Sequence, residues 1–343
     1  MKVLILGVNG FIGSALLERI LSETDWTVTG MDLRSDKLGE HPANERFRFV
    51  EGDICADRGW VDEAVAEADV VLPLVAIATP ATYVKEPLKV FELDFEENLR
   101  IVRRCVEEGK RLVFPSSSEV YGMSPEPEFY EDKTALVLGP VTKSRWIYSC
   151  AKQMLDRVIH AYGEKKGLNF TLFRPFNWIG PKLDDVHSAK IGSSRVVTQF
   201  IVNLLNGDPV YIVDGGSQRR CFTYIDDGIA ALMAILRDGG EFTRGEIFNI
   251  GNPHAECSVK ELAEKLIALY EELCPELARE RPPRMIPVSG EDYYGRGYQD
   301  ITFRKPNIDK ARGILGWEPR VSLDEALRRS FEDMLGSAGG GRG

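Results

Sequence analysis

The sequence predicts an α/β fold: a doubly wound parallel sheet followed by a smaller C-terminal α/β domain. Short apolar segments of strand length alternate with segments of helical periodicity through the first half of the chain. The strand segments are apolar at nearly every position, which is typical of parallel strands buried on both faces. Such alternation indicates a parallel sheet with helices packed on both sides.

Six strands are predicted in the first half, each a short apolar run bounded by polar or turn residues. They cover residues 2–6, 26–31, 46–50, 69–74, 111–114 and 169–173. Helices are predicted between them wherever apolar residues recur at helical spacing, at 11–21, 57–66, 87–107 and 145–166. The third helix begins at Pro87, a residue suited to the first turn of a helix.

The alternation weakens beyond residue 175. Short strands are predicted at 210–213 and 246–250, and helices at 259–272 and 323–334. We therefore divide the chain into a first domain at 1–175 and a smaller domain at 176–335 that is partly interleaved with it. The glycine-rich end, 336–343, is predicted to be a disordered tail.

The composition is that of an acidic globular protein. The 343 residues are 43% hydrophobic and 28% charged, and 43 basic against 53 acidic residues give a net charge of -10. This balance disfavours nucleic acid and anionic membrane surfaces as partners, although a local arginine cluster still permits an anionic ligand. The six cysteines show no CxxC spacing and there are four histidines, so we expect neither a metal site nor a disulfide framework.

The apolar N-terminus is interpreted as a strand, turn and helix rather than as a signal peptide. Three glycines and Asn9 interrupt residues 1–21, and Glu18 and Arg19 follow without a small-residue cleavage site. No apolar run reaches the roughly 18–20 residues that span a bilayer. We therefore expect a cytoplasmic protein.

A nucleotide site is predicted at the end of the first strand. Gly7, Gly10 and Gly13 stand at GxxGxxG spacing between that strand and the first helix. Such glycines permit a tight turn, close approach of a pyrophosphate and close helix–strand packing. Asp32 ends the second strand, where a carboxylate accepts hydrogen bonds from ribose hydroxyls and repels a 2′-phosphate. These residues favour NAD over NADP, and Arg34 nearby keeps NADP as an alternative.

Two further segments supply the groups of a hydride-transfer site. Residues 116–122 place three serines and Glu119 directly after the fifth strand. Tyr148 and Lys152 lie four residues apart, on one face of a predicted helix. A phenol is a poor base at neutral pH, and we expect the lysine and the positive nicotinamide ring to lower the pKa of Tyr148. Tyr148 would then accept a proton from a sugar hydroxyl as hydride leaves.

These motifs resemble the extended short-chain dehydrogenase/reductase family, the NAD-dependent epimerases, dehydratases and decarboxylases of nucleotide sugars, on a Rossmann-type fold. Further segments are similar to the UDP-glucuronic acid decarboxylase domain of the bifunctional enzyme that makes 4-amino-4-deoxyarabinose for polymyxin resistance. They are residues 74–80, 91–98, 173–178, 192–195, 214–216, 298–300 and 304–306. The resemblance covers nearly the full length.

The resemblance implies roles residue by residue. The catalytic residues would be Ser118, Glu119, Tyr148, Lys152 and Arg304. The cofactor-binding residues would be Gly7, Gly10, Phe11, Ile12, Gly13, Asp32, Asp53, Ile54, Leu74, Ala76 and Lys152. The residues that bind the UDP-sugar would be Ala78, Tyr83, Ser117, Ser118, Arg145, Asn177, Arg195, Tyr211, Arg220 and Tyr298.

The implied reaction is NAD-dependent oxidation of UDP-glucuronic acid at C4, followed by loss of CO2 from the resulting β-keto acid. In this hypothesis Arg304 orients the carboxylate and donates a proton, Glu119 relays a proton, and Ser118 hydrogen-bonds the C4 oxygen. The product is UDP-4-keto-pentose with NADH, or UDP-xylose. A redox-neutral UDP-sugar 4-epimerase and a UDP-apiose/UDP-xylose synthase are the alternatives. A 4,6-dehydratase usually carries Asp-Glu where this sequence has Ser118-Glu119, which counts against that activity. A non-enzymatic nucleotide sensor would lack some of the catalytic residues, whereas all of them are present here.

Two departures from the family pattern matter. Tyr211 stands where the family often has Lys, and uracil stacking would replace the lost cation. The bifunctional relative carries an N-terminal formyltransferase domain, whereas this sequence starts at the first Rossmann strand, so we expect no formyltransferase activity. The resemblance also implies a homodimer, joined through the helices at 87–107 and 145–166.

Overall fold

The computed structural model describes residues 1–184, 189 and 194–339. Its centre is a seven-stranded sheet in which every neighbouring pair of strands is parallel. In spatial order the strands are Glu246–Ile250, Phe170–Pro175, Arg111–Pro115, Val70–Pro73, Lys2–Leu6, Thr27–Asp32 and Phe47–Glu51. The predicted fold class is therefore confirmed, and all six predicted strands of the first half lie in this sheet.

The central strand shows why helices cover both faces. Val3 and Ile5 point into one apolar core, whereas Leu4 and Leu6 point into a second core on the opposite face. Alternate side chains of a strand lie on opposite faces, so an apolar run requires a helical layer on each side. Strand order reverses on either side of Lys2–Leu6. Ligands of such sheets bind at the carboxyl ends of the strands at this reversal.

The described helices include the six that the periodicity predicts, with differences of a few residues at their ends, and others that it did not predict. They are Phe11–Glu23, Arg58–Glu67, Pro80–Lys85, Pro87–Phe91, Asn98–Glu107, Ile147–Lys166, Val196–Asn206, Ile225–Asp238, Val259–Leu273, Pro275–Glu280, Gly290–Tyr294, Asp309–Leu315 and Leu323–Gly339. The helix predicted at 87–107 is interrupted by a π-helical turn at Glu92–Glu97. A short 3-10 helix, Ser144–Trp146, precedes Ile147–Lys166.

The segment after residue 175 contributes to both parts of the molecule. Glu246–Ile250 returns to the main sheet as an edge strand, and Ile225–Asp238 packs against Phe11–Glu23. The other strands form small sheets: Thr223–Tyr224 with Trp178–Ile179, Glu256–Ser258 with Arg219–Cys221 and Phe303–Arg304, and Met285–Val288 with Val210–Val213.

Two predictions concern residues at the limits of the described structure. The predicted tail was wrong at its start, because residues 336–339 continue the last helix. Residues 340–343 lie outside the described residues, as do Gly192 and Ser193 of the motif at 192–195.

Within the described ranges, no helix has the length and apolar character needed to cross a bilayer. In that same part of the chain, no group of three His, Cys, Asp or Glu side chains is placed to share a metal ion.

Candidate active site

The glycine loop forms a cradle that has no room for side chains. Gly7 has a φ of +87°, and its N–H donates to Met31 O at 2.8 Å, which turns the chain sharply after the first strand. A Cβ on Gly13 would lie 2.3 Å from Gly7 O and 2.8 Å from Val8 Cα. Phe11 and Ile12 begin the following helix, whose first N–H groups face the loop. This geometry suits a diphosphate at a helix N-terminus.

Gly13→Ala is expected to abolish tight cofactor binding. The new methyl group would collide with backbone atoms, so the helix would have to shift away from the strand. We expect the dissociation constant for NAD to rise by about tenfold or more, and the melting temperature to fall, as measured by fluorescence titration and calorimetry. The matched control is Gly59→Ala, because a Cβ there meets nothing within 4 Å. Wild-type NAD affinity in Gly13→Ala would contradict the assignment.

Asp32 lies beside this loop at the end of its strand. Its carboxylate oxygens accept hydrogen bonds from Asn9 N at 2.9 Å and Leu33 N at 2.8 Å. Burial raises the pKa of the Asp32 carboxyl, and these two hydrogen bonds oppose that rise. Asn9, which the sequence did not single out, also bonds Asp36 and so braces the loop. Each Asp32 oxygen retains a lone pair for a ribose hydroxyl.

The remaining predicted cofactor residues differ in their exposure. Asp53 is exposed and Ile54 is buried in the core beneath the third strand. Leu74 and Ala76 are half-buried in the loop that follows Val70–Pro73, and Ala78 in the same loop is exposed. All of these residues lie at the carboxyl edge of the sheet, where the glycine loop also lies.

Two side chains that the sequence did not identify hold that loop in place. Asp94 Oδ1 accepts a hydrogen bond from Ile77 N at 2.8 Å. Asn98 Nδ2 donates to Val75 O at 3.3 Å and to Leu93 O at 3.0 Å. Both residues are fully buried on the segment that contains the π-helical turn. The available signals were their place in the segment 91–98, which resembles the family, and their polar character on the inner face of a predicted helix.

Tyr148 and Lys152 lie together at the carboxyl end of the fifth strand. Tyr148 stacks face to face on Tyr83, with ring centroids 4.7 Å apart and planes 5° from parallel. Its hydroxyl also hydrogen-bonds the side chain of Ser117. Lys152 is 1% exposed, and its Nζ donates to Pro115 O at 2.8 Å. The predicted serine, phenol and lysine are thus brought together.

The two neighbouring serines have different partners. The hydroxyl beside Tyr148 is that of Ser117, whereas Ser118 Oγ accepts from Arg304 Nη1 at 3.2 Å. Ser117 caps the 3-10 helix Ser118–Tyr121 in an extended conformation, so consecutive serines point to different sides. The hydrogen bond of Ser118 to the C4 oxygen stays a prediction, and Ser117 is a second serine beside the phenol.

The expected lowering of the Tyr148 pKa is not found in the chain alone. Burial raises the pKa of Tyr148 well above its usual value, and the Asp94 carboxylate raises it further. The hydrogen bond with Ser117 opposes these effects. Lys152 contributes little because its Nζ lies 5.9 Å from the Tyr148 ring centroid and is bonded to a carbonyl. Burial also lowers the pKa of Lys152 itself.

Glu119 joins two buried arginines that are distant in sequence. Its Oε2 accepts from Arg145 Nη1 and its Oε1 from Arg304 Nη2, each at 2.6 Å. Burial alone would raise the pKa of Glu119, but the two guanidiniums outweigh it and hold that pKa well below its ordinary range. Glu119 is therefore a persistent carboxylate that fixes both arginines.

A third buried arginine extends this cluster. Arg220 lies opposite Arg304 in the pairing of two short strands, and its Nη2 donates to Asp300 Oδ1 at 2.7 Å. The cluster thus contains Arg145, Arg220 and Arg304 against the carboxylates of Glu119 and Asp300. Nε of Arg145 and Nε of Arg304 are buried and have no hydrogen-bond partner among the described residues. An anionic ligand would supply acceptors for these donors.

The other predicted substrate residues fall into two groups. Tyr298 stacks on Tyr294 at 4.2 Å, and Tyr211 lies 6.0 Å from Tyr293. These four phenols form an aromatic wall at the outer end of the cluster. Asn177, with a φ of +41°, donates to Cys221 O at 2.9 Å.

Arg195 lies apart from the arginine cluster. Its Nη2 is 2.7 Å from Asp184 Oδ1, and its guanidinium lies 5.5 Å from the ring centroid of Phe11. The structure therefore places Arg195 beside the glycine loop, with a carboxylate already bound to it.

Comparison with known proteins identifies the family. The sequence profile of the NAD dependent epimerase/dehydratase family matches residues 3–251. The chain is 52% identical to the PbgP3 protein from Burkholderia pseudomallei, over 99% of this chain and 98% of that chain, with a TM-score of 0.90.

More distant structures share the fold. UDP-glucose 4-epimerase from Thermotoga maritima, with UDP-glucose, is 23% identical over 98% of this chain and 100% of that chain, with a TM-score of 0.81. UDP-glucuronic acid 4-epimerase from Bacillus cereus, in complex with UDP-glucuronic acid and NAD, is 22% identical over the same shares, with a TM-score of 0.79. The glycine cradle and the Asp32 carboxylate of this chain fit NAD as cofactor. The chain belongs to the NAD dependent epimerase/dehydratase family.

Proposed function

We propose that the protein is an NAD-dependent UDP-glucuronic acid decarboxylase. The observation that carries the proposal is the position of Arg304, which is 4% exposed and hydrogen-bonded to Ser118 and Glu119. Ser117, the neighbour of Ser118, bonds the Tyr148 hydroxyl. A fixed guanidinium is thus held next to the groups that oxidise a sugar hydroxyl. A carboxylate on the carbon next to the reacting one suits this arrangement.

Tyr148 is the group that accepts the proton from the C4 hydroxyl in this mechanism. Ser117 shares that proton through its hydrogen bond with the phenol, and Lys152 holds the nicotinamide ribose. NAD, when bound, accepts the hydride from C4. Burial of the Tyr148 side chain raises its pKa. We therefore expect the positive charge of the nicotinamide ring to lower that pKa.

Loss of CO2 follows from the oxidation. A ketone at C4 makes the C6 carboxylate that of a β-keto acid, so the electrons of the breaking C–C bond enter the carbonyl as an enolate. Arg304 orients the carboxylate and stabilises the developing negative charge, and it then donates the proton that C5 takes up as the enolate collapses to the 4-ketone. The depressed pKa of Glu119 favours an orienting role for this carboxylate over the proton relay inferred from sequence. Because the 4-ketone accepts these electrons, the reaction requires no metal ion in addition to these side chains.

The arginine cluster and the aromatic wall are the proposed UDP site. Three arginines against two carboxylates leave one excess positive charge before any ligand binds. The free Nε donors of Arg145 and Arg304 offer hydrogen bonds to phosphate or carboxylate oxygens. Tyr211 and Tyr298 present rings for the uracil.

The same Ser117, Tyr148 and Lys152 would also serve a redox-neutral UDP-sugar 4-epimerase or a UDP-apiose/UDP-xylose synthase. The products separate these functions. The protein is incubated with NAD and UDP-glucuronate, NADH absorbance is followed, and the sugar is identified by NMR. We expect UDP-4-keto-pentose with stoichiometric NADH, or UDP-xylose without net NADH. UDP-galacturonate as the sole product would establish the epimerase and overturn the proposal.

We also propose a homodimer joined through the helices of residues 87–107 and 147–166. Leu88 and Met154 lie on these helices, and their side chains are 72% and 50% exposed. Apolar side chains exposed on two adjacent helices suit a helical interface. Size-exclusion chromatography with light scattering is expected to give twice the mass of the chain, and a monomer at micromolar concentration would contradict the interface.

A further inference from the structure

The π-helical turn at Glu92–Glu97 carries a buried carboxylate into the hydride-transfer site. The turn interrupts the helix that packs beside Ile147–Lys166, and π turns of this kind occur frequently at functional sites. Asp94 lies in the middle of the turn and is 0% exposed. Its surroundings include Tyr83, Val90 and Tyr148, which form a small apolar cluster with Ile77.

Only one oxygen of this carboxylate is satisfied. Asp94 Oδ1 accepts from Ile77 N at 2.8 Å, in the loop after the fourth strand. Asp94 Oδ2 is buried and has no hydrogen-bond partner among the residues that the structure describes. A buried carboxylate with an unpaired oxygen destabilises the folded state unless a nearby positive charge compensates it.

The nearby charge is the ammonium of Lys152. Asp94 and Asp156 are the two carboxylates that act electrostatically on Lys152. Asp156 is paired with a guanidinium, because its Oδ2 accepts from Arg174 Nη2 at 2.9 Å and from Ser116 Oγ at 2.8 Å, while its Oδ1 is buried without a partner in the described part of the chain. Asp94 makes no ion pair with an arginine in that part of the chain, and its charge acts on Lys152 more strongly than that of Asp156.

We propose that Asp94 is a positioning residue of the hydride-transfer site. Its carboxylate ties the loop after Val70–Pro73 to the π-helical turn, which packs beside the helix of Tyr148 and Lys152, and it supplies the negative charge that balances the buried Lys152 ammonium. The inference rests on the proposed roles of Tyr148 and Lys152, but not on the loss of CO2.

Three titratable side chains from two elements interact with this charge: Tyr83 on Pro80–Lys85, and Tyr148 and Lys152 on Ile147–Lys166. The Glu119 carboxylate on Ser118–Tyr121 acts on the same two phenols. Burial raises the pKa of Asp94 to about 7, and Lys152 and the Ile77 N–H oppose that rise. Asp94 in turn raises the pKa values of Tyr83, Tyr148 and Lys152.

The first arm of the test is thermal unfolding of Asp94→Asn without cofactor or substrate. A carboxyl whose pKa is raised on folding binds its proton more tightly in the folded state. Its contribution to stability is therefore lost as pH rises from about 4 to about 7. The amide keeps the shape and the acceptor for Ile77 N but cannot ionise. We expect the melting temperature of Asp94→Asn, relative to wild type, to rise between about pH 4 and about pH 7.

The second arm is the pH dependence of turnover, measured as the rate at which UDP-glucuronate is consumed in the presence of NAD. Removal of the negative charge lowers the pKa values of both Tyr148 and Lys152, so both limbs of the profile are expected to move to lower pH. At the alkaline end turnover is expected to fall by about tenfold, while KM for the sugar stays within about twofold. A residue that only packs the helix would leave both limbs in place.

Glu97→Gln is the matched control. Glu97 lies on the same turn and is 2% exposed, but it is paired with Arg58 and Arg100. We expect this variant to lose stability and to keep both limbs of the profile. The proposal is overturned if the melting-temperature difference of Asp94→Asn is independent of pH, if both limbs stay in place, or if the variant does not fold. An inactive wild type would count against the proposed function, and the unfolding arm would still decide the role of Asp94.

Discussion

Tyr148→Phe is expected to lower turnover by about a thousandfold while leaving the fold and the affinity for UDP-glucuronate nearly unchanged. General acid–base catalysis typically contributes about 10²- to 10⁴-fold, and the variant removes the proposed proton acceptor. The phenylalanine ring retains the stack on Tyr83, which has its ring centroid 4.7 Å away. Single-turnover formation of NADH measures the loss, and calorimetric titration with the sugar checks that binding is retained.

Tyr162→Phe is the control for this variant. Tyr162 lies near the other end of the same helix, where it packs against the apolar core. We expect its turnover to equal that of the wild type. If Tyr148→Phe kept more than about a tenth of wild-type turnover, Tyr148 would not be the proton acceptor.

Arg304→Ala is expected to show the second largest effect, a loss of about 10²- to 10³-fold in CO2 release, because a preorganised donor is removed from the developing charge. The variant also leaves Glu119 with Arg145 alone. Breaking a fully buried ion pair typically costs about 3–5 kcal/mol of unfolding free energy, and the remaining pair with Arg145 should keep the loss below that range. Release of CO2 from UDP-glucuronate and chemical denaturation measure the two effects separately.

Lys305→Ala is the matched control, since it removes the neighbouring cation. Lys305 pairs with Glu128 at 3.1 Å and is 28% exposed, so its loss should change neither CO2 release nor stability by much. Wild-type CO2 release in Arg304→Ala would contradict the proposed role of Arg304. Oxidation of the sugar without CO2 release would support it strongly.

The fold could be predicted because its determinants are local. The apolar run of Lys2–Leu6, the spacing of Gly7, Gly10 and Gly13, and the acid at Asp32 each reflect a requirement of one strand, one turn or one helix. The interruption of the helix between Pro87 and Glu107 had no such signal, because its residues fit a regular helix in sequence. The interrupted segment carries the tertiary hydrogen bond of Asp94 with Ile77, which lies outside the helix.

The site was predictable as a set of residues but not as a set of contacts. Glu119 bonds Arg145 and Arg304, which lie 26 and 185 positions away, and no local pattern indicates which arginine faces which carboxylate. The different partners of Ser117 and Ser118 depend on the cap of a single 3-10 turn. Asp94 lies in the segment 91–98 that resembles the family, but no pattern in that segment indicated its role, since that role follows from burial and from the charges placed around it by folding.

The central claim is that oxidation at C4 leads to loss of the substrate's own carboxyl group beside Arg304. The most direct measurement uses UDP-glucuronate that is isotopically labelled at the carboxyl carbon, with NAD and the wild-type protein, and counts labelled CO2 against sugar consumed. The account predicts one labelled CO2 for each sugar converted, and a rate that collapses in Tyr148→Phe and Arg304→Ala. Conversion of the sugar with the label fully retained would contradict it.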